Sequence, residues 1–262
     1  ASATGKADSM MRIWPCPAKS HAELAREWEQ LAEERHRQIA SGEDLSFERV
    51  VVPTTWHLFE GADRAVVLDI GCGTGDFTAR LARVAGKVIA VEPSRASVAL
   101  ARRVCRAAQN VRFVEASLEE AVSSLDEGPV TAAVAVMTLM TAPDLRAFAK
   151  ALAALLQARA RFVATLAHPW FWPKYWGYED EPWFHYEAET FIEAPFVISR
   201  RRTEVRTTHV HRPLDQYVNV FAEEGFRLDA LAEPMPPPEV QCLYPAPWRF
   251  QRFLGLRWEK VV

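Results

Sequence analysis

The sequence predicts an α/β fold, a doubly wound parallel sheet covered by helices on both faces. Three observations carry that prediction. Apolar runs of strand length, such as Val66–Leu68 and Val130–Met137, alternate with helical stretches through the middle of the chain, as in successive βαβ units. Behind the first run, Asp69 precedes three glycines at every second position (Gly71, Gly73, Gly75), and a helical pattern starts at once. A second apolar run, Lys87–Val91, ends in Glu92, at the edge where a parallel sheet presents its ligands.

Taken in order, the elements begin with a helix over Ser20–Ile39. Ser20 and Glu23 form a capping-box pattern, and Leu24, Trp28, Leu31 and Ile39 fall on one face. A short helix through Trp56 and Leu58 follows, ending at Gly61. After the glycine turn a helix is expected over Phe77–Ala85, stopped by Gly86. Lys87–Val91 is the second strand, and Pro93-Ser94 opens a helix over Arg95–Ala108. Asn110–Glu115 is a third strand with Ala116, Ser117 and Leu118 at its end, and Val130–Met137 a fourth with Thr138 at its end. A helix from Pro143 to Gln157 leads into a fifth strand, Arg161–Leu166.

From His168 to Tyr186 the composition changes: nineteen residues hold nine aromatic rings, two histidines, three prolines and a glycine. So many rings do not suit a plain surface loop, and the position beyond the fifth strand suits a lid over a ligand crevice. An aromatic mini-core or a dimer patch is the other reading. Phe196–Arg202 and Thr203–Val210 have strand character and could pair as a hairpin. His211-Arg212-Pro213-Leu214 then leads into a helix, Gly225-Phe226, a strand over Arg227–Leu231, the proline-rich Glu233–Pro238, and a last strand over Leu254–Val262. One domain over 20–262 is expected, with a helical cap over 20–60 and an aromatic lid and acceptor region over 168–212. Residues 1–19 are expected to be a flexible arm or tag remnant.

Composition narrows the partners. Of 262 residues, 49% are apolar and 25% charged, and the net charge of −3 gives no electrostatic case for nucleic acid or an anionic membrane. The four cysteines (Cys16, Cys72, Cys105, Cys242) show neither a C-x-x-C pair nor a disulfide framework, so no metal site is expected and the compartment reads as the cytoplasm. No apolar run has the length of a membrane span.

The run D-I-G-C-G-T-G (Asp69–Gly75), the strand end V-I-A-V-E-P-S, and the tail from H-R-P-L to E-P-M-P together resemble the class I S-adenosylmethionine (SAM) dependent methyltransferases, over roughly Trp28 to Val262. The resemblance implies a Rossmann-like sheet of seven strands with the last one antiparallel. It implies SAM as cofactor, with Asp69, Gly71, Cys72, Gly73, Gly75, Glu92, Pro93, Ala116, Ser117, Leu118 and Thr138 around it. Glu92 is placed to accept from both ribose hydroxyls, and Ser117 to meet the adenine corner where relatives often have an acid. Thr131 stands where many relatives have an aspartate.

SAM supplies an activated carbon, so the protein's task is to place a nucleophile and exclude water. His168 is the expected base or orienting residue, with Tyr175 next to it in the lid; Trp176, Tyr178 and Tyr186 are further rings that could face the charge or the substrate. Three readings stay open. The first is methyl transfer to a small molecule, in secondary metabolism, by a monomer or homodimer. The second is intramolecular cyclisation of SAM to azetidine-2-carboxylate and methylthioadenosine. The third is a non-catalytic SAM-binding subunit. A NAD enzyme is disfavoured, because its glycine spacing would be G-x-G-x-x-G.

Overall fold

A computed structural model describes residues 13–125, 128–198 and 201–261. The strands are β1 (Trp14–Pro15), β2 (Val66–Ile70), β3 (Lys87–Val91), β4 (Val111–Val114), β5 (Val130–Val136), β6 (Leu156–Ala167), β7 (Thr190–Ile198), β8 (Arg201–His211), β9 (Phe226–Ala232) and β10 (Phe253–Lys260). The α-helices are α1 (His21–Ala40), α2 (Val52–Phe59), α3 (Asp76–Leu81), α4 (Arg95–Val104), α5 (Leu118–Ala121), α6 (Leu145–Leu155), α7 (Phe171–Trp176), α8 (Leu214–Glu223) and α9 (Pro238–Gln241).

Seven strands form the main sheet in the order β4-β3-β2-β5-β6-β10-β9. Strands β2 to β6 run parallel, and β10 pairs antiparallel with both β6 and β9. This is the doubly wound, Rossmann-like sheet expected from the sequence, with the last strand antiparallel. Chain order reverses between β2 and β5, so the loops leaving those two strands part there and open a crevice.

Alternation along the strands sorts the core into two layers. Leu68, Ile89, Ala133 and Phe162 face α5, α6 and α8, whereas Val67, Val88, Val134 and Val163 face α2, α3 and α9. In the first layer Trp258 is fully buried and stacks on Phe162 at 5.2 Å and 15°.

Several elements differ from the sequence expectation, among them α4, which stops at Val104 instead of Ala108, and β6, which begins at Leu156 instead of Arg161. α3 ends at Leu81, four residues short of the expected end, and turns carry the chain on to Gly86. The hairpin begins earlier, as β7 with β8 rather than at Phe196, and β1 joins it in a second antiparallel sheet, β1-β7-β8. Pro195 is tolerated inside β7 because β1 pairs only with Glu193 and Ile192, and the register with β8 shifts just beyond the proline. The arm expected over 1–19 is therefore tied down at its end: Arg206 lies 3.6 Å over the Trp14 ring. Lys19 donates to Glu27, Glu193 and Thr208 at 2.6–2.8 Å. Residues 1–12 lie outside the described residues.

The capping box on α1 is present as expected, with Ser20 accepting from the Glu23 N–H and the Glu23 side chain returning to the Ser20 N–H. It sets the start of the helix that lies over the crevice. Removing the Trp258 ring would leave a cavity in the aromatic cluster with Phe162 and Phe221. Trp258→Ala should therefore lower stability by about 3–5 kcal/mol. Urea unfolding measures this directly, and a loss below about 1 kcal/mol would mean that the cluster does not hold the sheet to its helices.

Candidate active site

The crevice is built where β2 and β3 end. Asp69 is buried at the end of β2 and accepts from Thr78 Oγ1–H at 2.7 Å. Burial outweighs that hydrogen bond and pushes its carboxyl up to about 6. Gly73 has φ +52°, and the place where its Cβ would stand is open space in the crevice. A side chain there would take the room of a ligand lying against the backbone. Gly75 serves another purpose. Its φ is +87°, and a Cβ would stand 2.7 Å from Ala101 Cα, so it lets α3 pack on α4. Of the expected cofactor residues, Gly75 alone lies off the crevice wall.

Glu92 is the group that joins the two strand ends. Its Oε2 accepts the Gly73 N–H at 3.0 Å and its Oε1 the Ser94 N–H at 2.9 Å. A carboxylate has about four lone-pair positions, so one acceptor position remains on each oxygen, a match for the two hydroxyls of a ribose. Burial raises its carboxyl to about 7, against the pull of the two backbone donors; the nearby Asp69 charge adds to the rise. Pro93, Ala116, Ser117 and Leu118 continue this wall. Ser117 caps α5: its Oγ accepts the Glu120 N–H at 3.3 Å, and Glu120 returns to the Ser117 N–H. Thr138 stands behind the turn and donates to the Gly71 and Val136 carbonyls. Buried Cys72 also faces the crevice, its thiol pushed well up by burial.

Beyond Thr138 the space widens into an aromatic chamber. α1 supplies Trp28 and Arg35, the π-helical turn Phe47–Val51 supplies Phe47, and the second sheet supplies Phe196, Thr207 and His209. Trp172, Tyr175 and Trp176 come from α7. Trp28 and Phe196 meet edge to face at 5.7 Å, closing the chamber between cap and sheet. Arg35 pairs with Asp44 at 2.6 Å and lies over the Phe47 and Phe196 rings. Sequence reasoning put Trp28 on the apolar face of its helix and Phe196 in the expected acceptor region, but did not assign Arg35, Phe47 or Arg252 to the site; those come from three separate segments, and no local pattern joins them.

The lid residues divide. Tyr175 and Trp176 line the chamber, as the sequence suggested, but Tyr178 and Tyr186 do not. Tyr178 is buried against Trp183 and Phe184, and the Tyr186 hydroxyl accepts the Leu214 N–H. That half of the aromatic run is a mini-core on the second sheet. Of the two roles expected for His168, base or orienting residue, its contacts match the second. It is buried outside the crevice wall, its Nδ1 accepts the Trp170 and Phe171 N–H groups, and its Nε2 lies 2.8 Å from Glu233 Oε1. With both ring nitrogens engaged it holds the start of α7 in place. Burial lowers its pKa despite Glu233.

These residues fit SAM: open backbone at Gly73, a carboxylate with two acceptor positions, and aromatic rings on the same cavity wall, which suit a sulfonium. Glu92→Ala should weaken S-adenosylhomocysteine binding by about 1–3 kcal/mol in calorimetry. Donors from a ribose favour the charged carboxylate, whose pKa without ligand is about 7. Wild-type affinity should hold above that pH and fall as pH drops through it, by at most about tenfold per pH unit. A flat profile from pH 8 to 5.5 would remove Glu92 from the ribose site.

Residues 67–159 match the family model described as a methyltransferase domain. No curated protein matches the sequence. Among solved structures, the complex of DhpI with S-adenosylhomocysteine aligns at a TM-score of 0.60 and 17% identity, over 93% of this chain and 99% of that one. The 1,6-didemethyltoxoflavin-N1-methyltransferase of Burkholderia thailandensis, with 1,6-didemethyltoxoflavin and S-adenosylhomocysteine bound, aligns at 0.57 and 20%, over 95% of each chain. An S-adenosylmethionine dependent methyltransferase from Mesorhizobium loti aligns at 0.56 and 18%, over 79% and 96%. At these identities the likeness speaks to the fold. The part that matches the methyltransferase-domain model, residues 67–159, holds both the glycine turn and the strand-end carboxylate.

Proposed function

We propose that the protein methylates a small planar acceptor in a biosynthetic reaction of the cytoplasm. The observation that carries this reading is the aromatic chamber continuous with the cofactor crevice, the two together enclosing about 320 Å³. That is the scale of a small-molecule site. A macromolecular acceptor would need an open approach. The Burkholderia thailandensis relative, of the same fold and with a small heterocycle bound, supports the reading. The four free cysteines fit a reducing compartment. Among the described residues no helix is long and apolar enough to cross a membrane.

SAM, when bound, supplies the electrophilic methyl group. The chain's own part is placement and exclusion of water. Among the described residues of the cavity wall, His21 is paired with Glu119 at 3.2 Å, which raises its pKa. His168 is fully engaged. His209 faces the chamber, but burial, reinforced by neighbouring His211, lowers its pKa to about 3. His209 therefore stays neutral at physiological pH, with Tyr178 OH 3.3 Å from its Nε2. It can orient an acceptor as a hydrogen-bond partner but is a weak base. Proximity of a bound nucleophile is then the main source of rate. Aromatic walls beyond the cofactor residues suit a separate acceptor, and so intermolecular transfer over cyclisation of SAM.

Product analysis with a panel of planar hydroxyl- and amino-substituted acceptors tests the reading. S-adenosylhomocysteine formed in step with a methylated acceptor is the expected result. Methylthioadenosine instead would establish cyclisation, and unchanged SAM across the panel would favour a binding subunit. His168→Ala should raise the KM for the acceptor about three- to tenfold through a loosened lid, with kcat and its pH profile nearly kept. A kcat loss of about 10²-fold or more, with a histidine limb gone from the profile, would restore His168 as the base.

A further inference from the structure

Among the described residues of the chamber, Arg252 is a cation with no carboxylate partner. Arg35 is neutralised by Asp44, and His21 faces Glu119 at 3.2 Å. Arg252 has no such partner. Its guanidinium is held between rings, 4.1 Å from the Tyr175 centroid and 4.3 Å from that of Trp248. No acceptor among the described residues takes any of its five N–H donors. The residue is half-buried and lines the chamber, and burial lowers its pKa from the usual arginine value. A half-buried cation braced by two rings and without a carboxylate beside it favours an anion in the chamber.

Its backbone is fixed as well. The Arg252 carbonyl accepts the His168 N–H at 2.9 Å, and the next residue, Phe253, begins the β10 pairing with β6 at Ala167. The guanidinium thus projects from a rigid strand end under the lid helix. That place is three strands from β2 in the sheet order, roughly 14 Å at the usual strand spacing. Such a distance separates it from the glycine turn and from Glu92, where the cofactor's residues gather.

We propose that Arg252 is the specificity residue of the chamber and binds the carboxylate of an aromatic acid acceptor, whose ring lies among Trp28, Phe196 and Trp176. The inference rests on the methyl-transfer reading and names its substrate class. A monoanion matches a single arginine. A phosphate dianion would leave one charge unmatched by that single cation. The planar guanidinium also suits a carboxylate edge, which it can grip with two parallel hydrogen bonds.

The test uses the protein saturated with S-adenosylhomocysteine, titrated by calorimetry with hydroxy- and amino-substituted benzoates and naphthoates and with their carboxamides. Wild-type protein should bind the best carboxylate about ten- to a hundredfold more tightly than its amide. Arg252→Gln should abolish that preference, Arg252→Lys should keep part of it, and S-adenosylhomocysteine affinity should stay within about twofold in both. Three results overturn the proposal: no carboxylate preference in the wild type, a preference that survives in Arg252→Gln, or a loss of S-adenosylhomocysteine affinity in both variants with acid selectivity intact. The last would assign the arginine to the cofactor's own carboxylate. Failure of the wild type to bind S-adenosylhomocysteine at all would count against the methyltransferase reading itself, a separate outcome from these.

Discussion

The buried carboxylate of Glu92 against the Gly73 N–H is the interaction on which the site depends. It ties the end of β3 to the glycine turn after β2 and holds the turn open. The cost is a carboxyl group in an apolar setting, visible in its raised pKa. Two backbone donors offset only part of that cost. The carboxylate is therefore better satisfied with hydroxyl donors in the crevice than without them, and a preference for ligand is built into the strand end. Asp69, buried one strand away with a single hydroxyl donor, adds to the same negative field. That field suits a cationic cofactor.

The second constraint is how the acceptor side is braced. Arg212 is buried and donates to the Leu139, Ala142 and Pro143 carbonyls and to Glu189. It fixes the loop after β5 to the second sheet, and with it the stretch that carries Thr138 and Met140. Met137, at the head of that loop, sits at φ 57°, an unusual conformation for a side chain of its size. A strained residue at the carboxyl edge, clamped by a buried arginine, marks the boundary between the cofactor half and the acceptor half. The lid is braced in a similar way: His168 and Glu233 hold the start of α7, and Phe171 stacks on Phe250.

How much of this was legible in the sequence follows from how local each signal is. The main sheet, its topology and the cofactor wall come from contiguous patterns: apolar runs, glycine spacing and acids at strand ends. Gly75 was misassigned because a glycine required for helix packing looks the same in sequence as one required for a ligand. The aromatic run was correctly marked as unusual, but ring contacts are weakly directional. Composition could not tell that Tyr175 and Trp176 would face the chamber while Tyr178, Trp183 and Phe184 packed around His209 and His211. The second sheet was half legible. Pro195 hid the start of β7, and two residues at Trp14 gave no sign that they would become its edge. Arg252 was invisible for a similar reason, since its meaning comes from Tyr175, far away in the chain.

The central claim is that one crevice, opened at the reversal of strand order, holds the cofactor at Glu92 and leaves an aromatic chamber for the acceptor. A crystal structure with S-adenosylhomocysteine bound tests it most directly. The account predicts both ribose hydroxyls on the two oxygens of Glu92, the adenosine against Ala116–Leu118, and the sulfur facing the chamber beneath Trp176. A ligand whose ribose sits away from Glu92, or whose sulfur points out of the chamber, would contradict it.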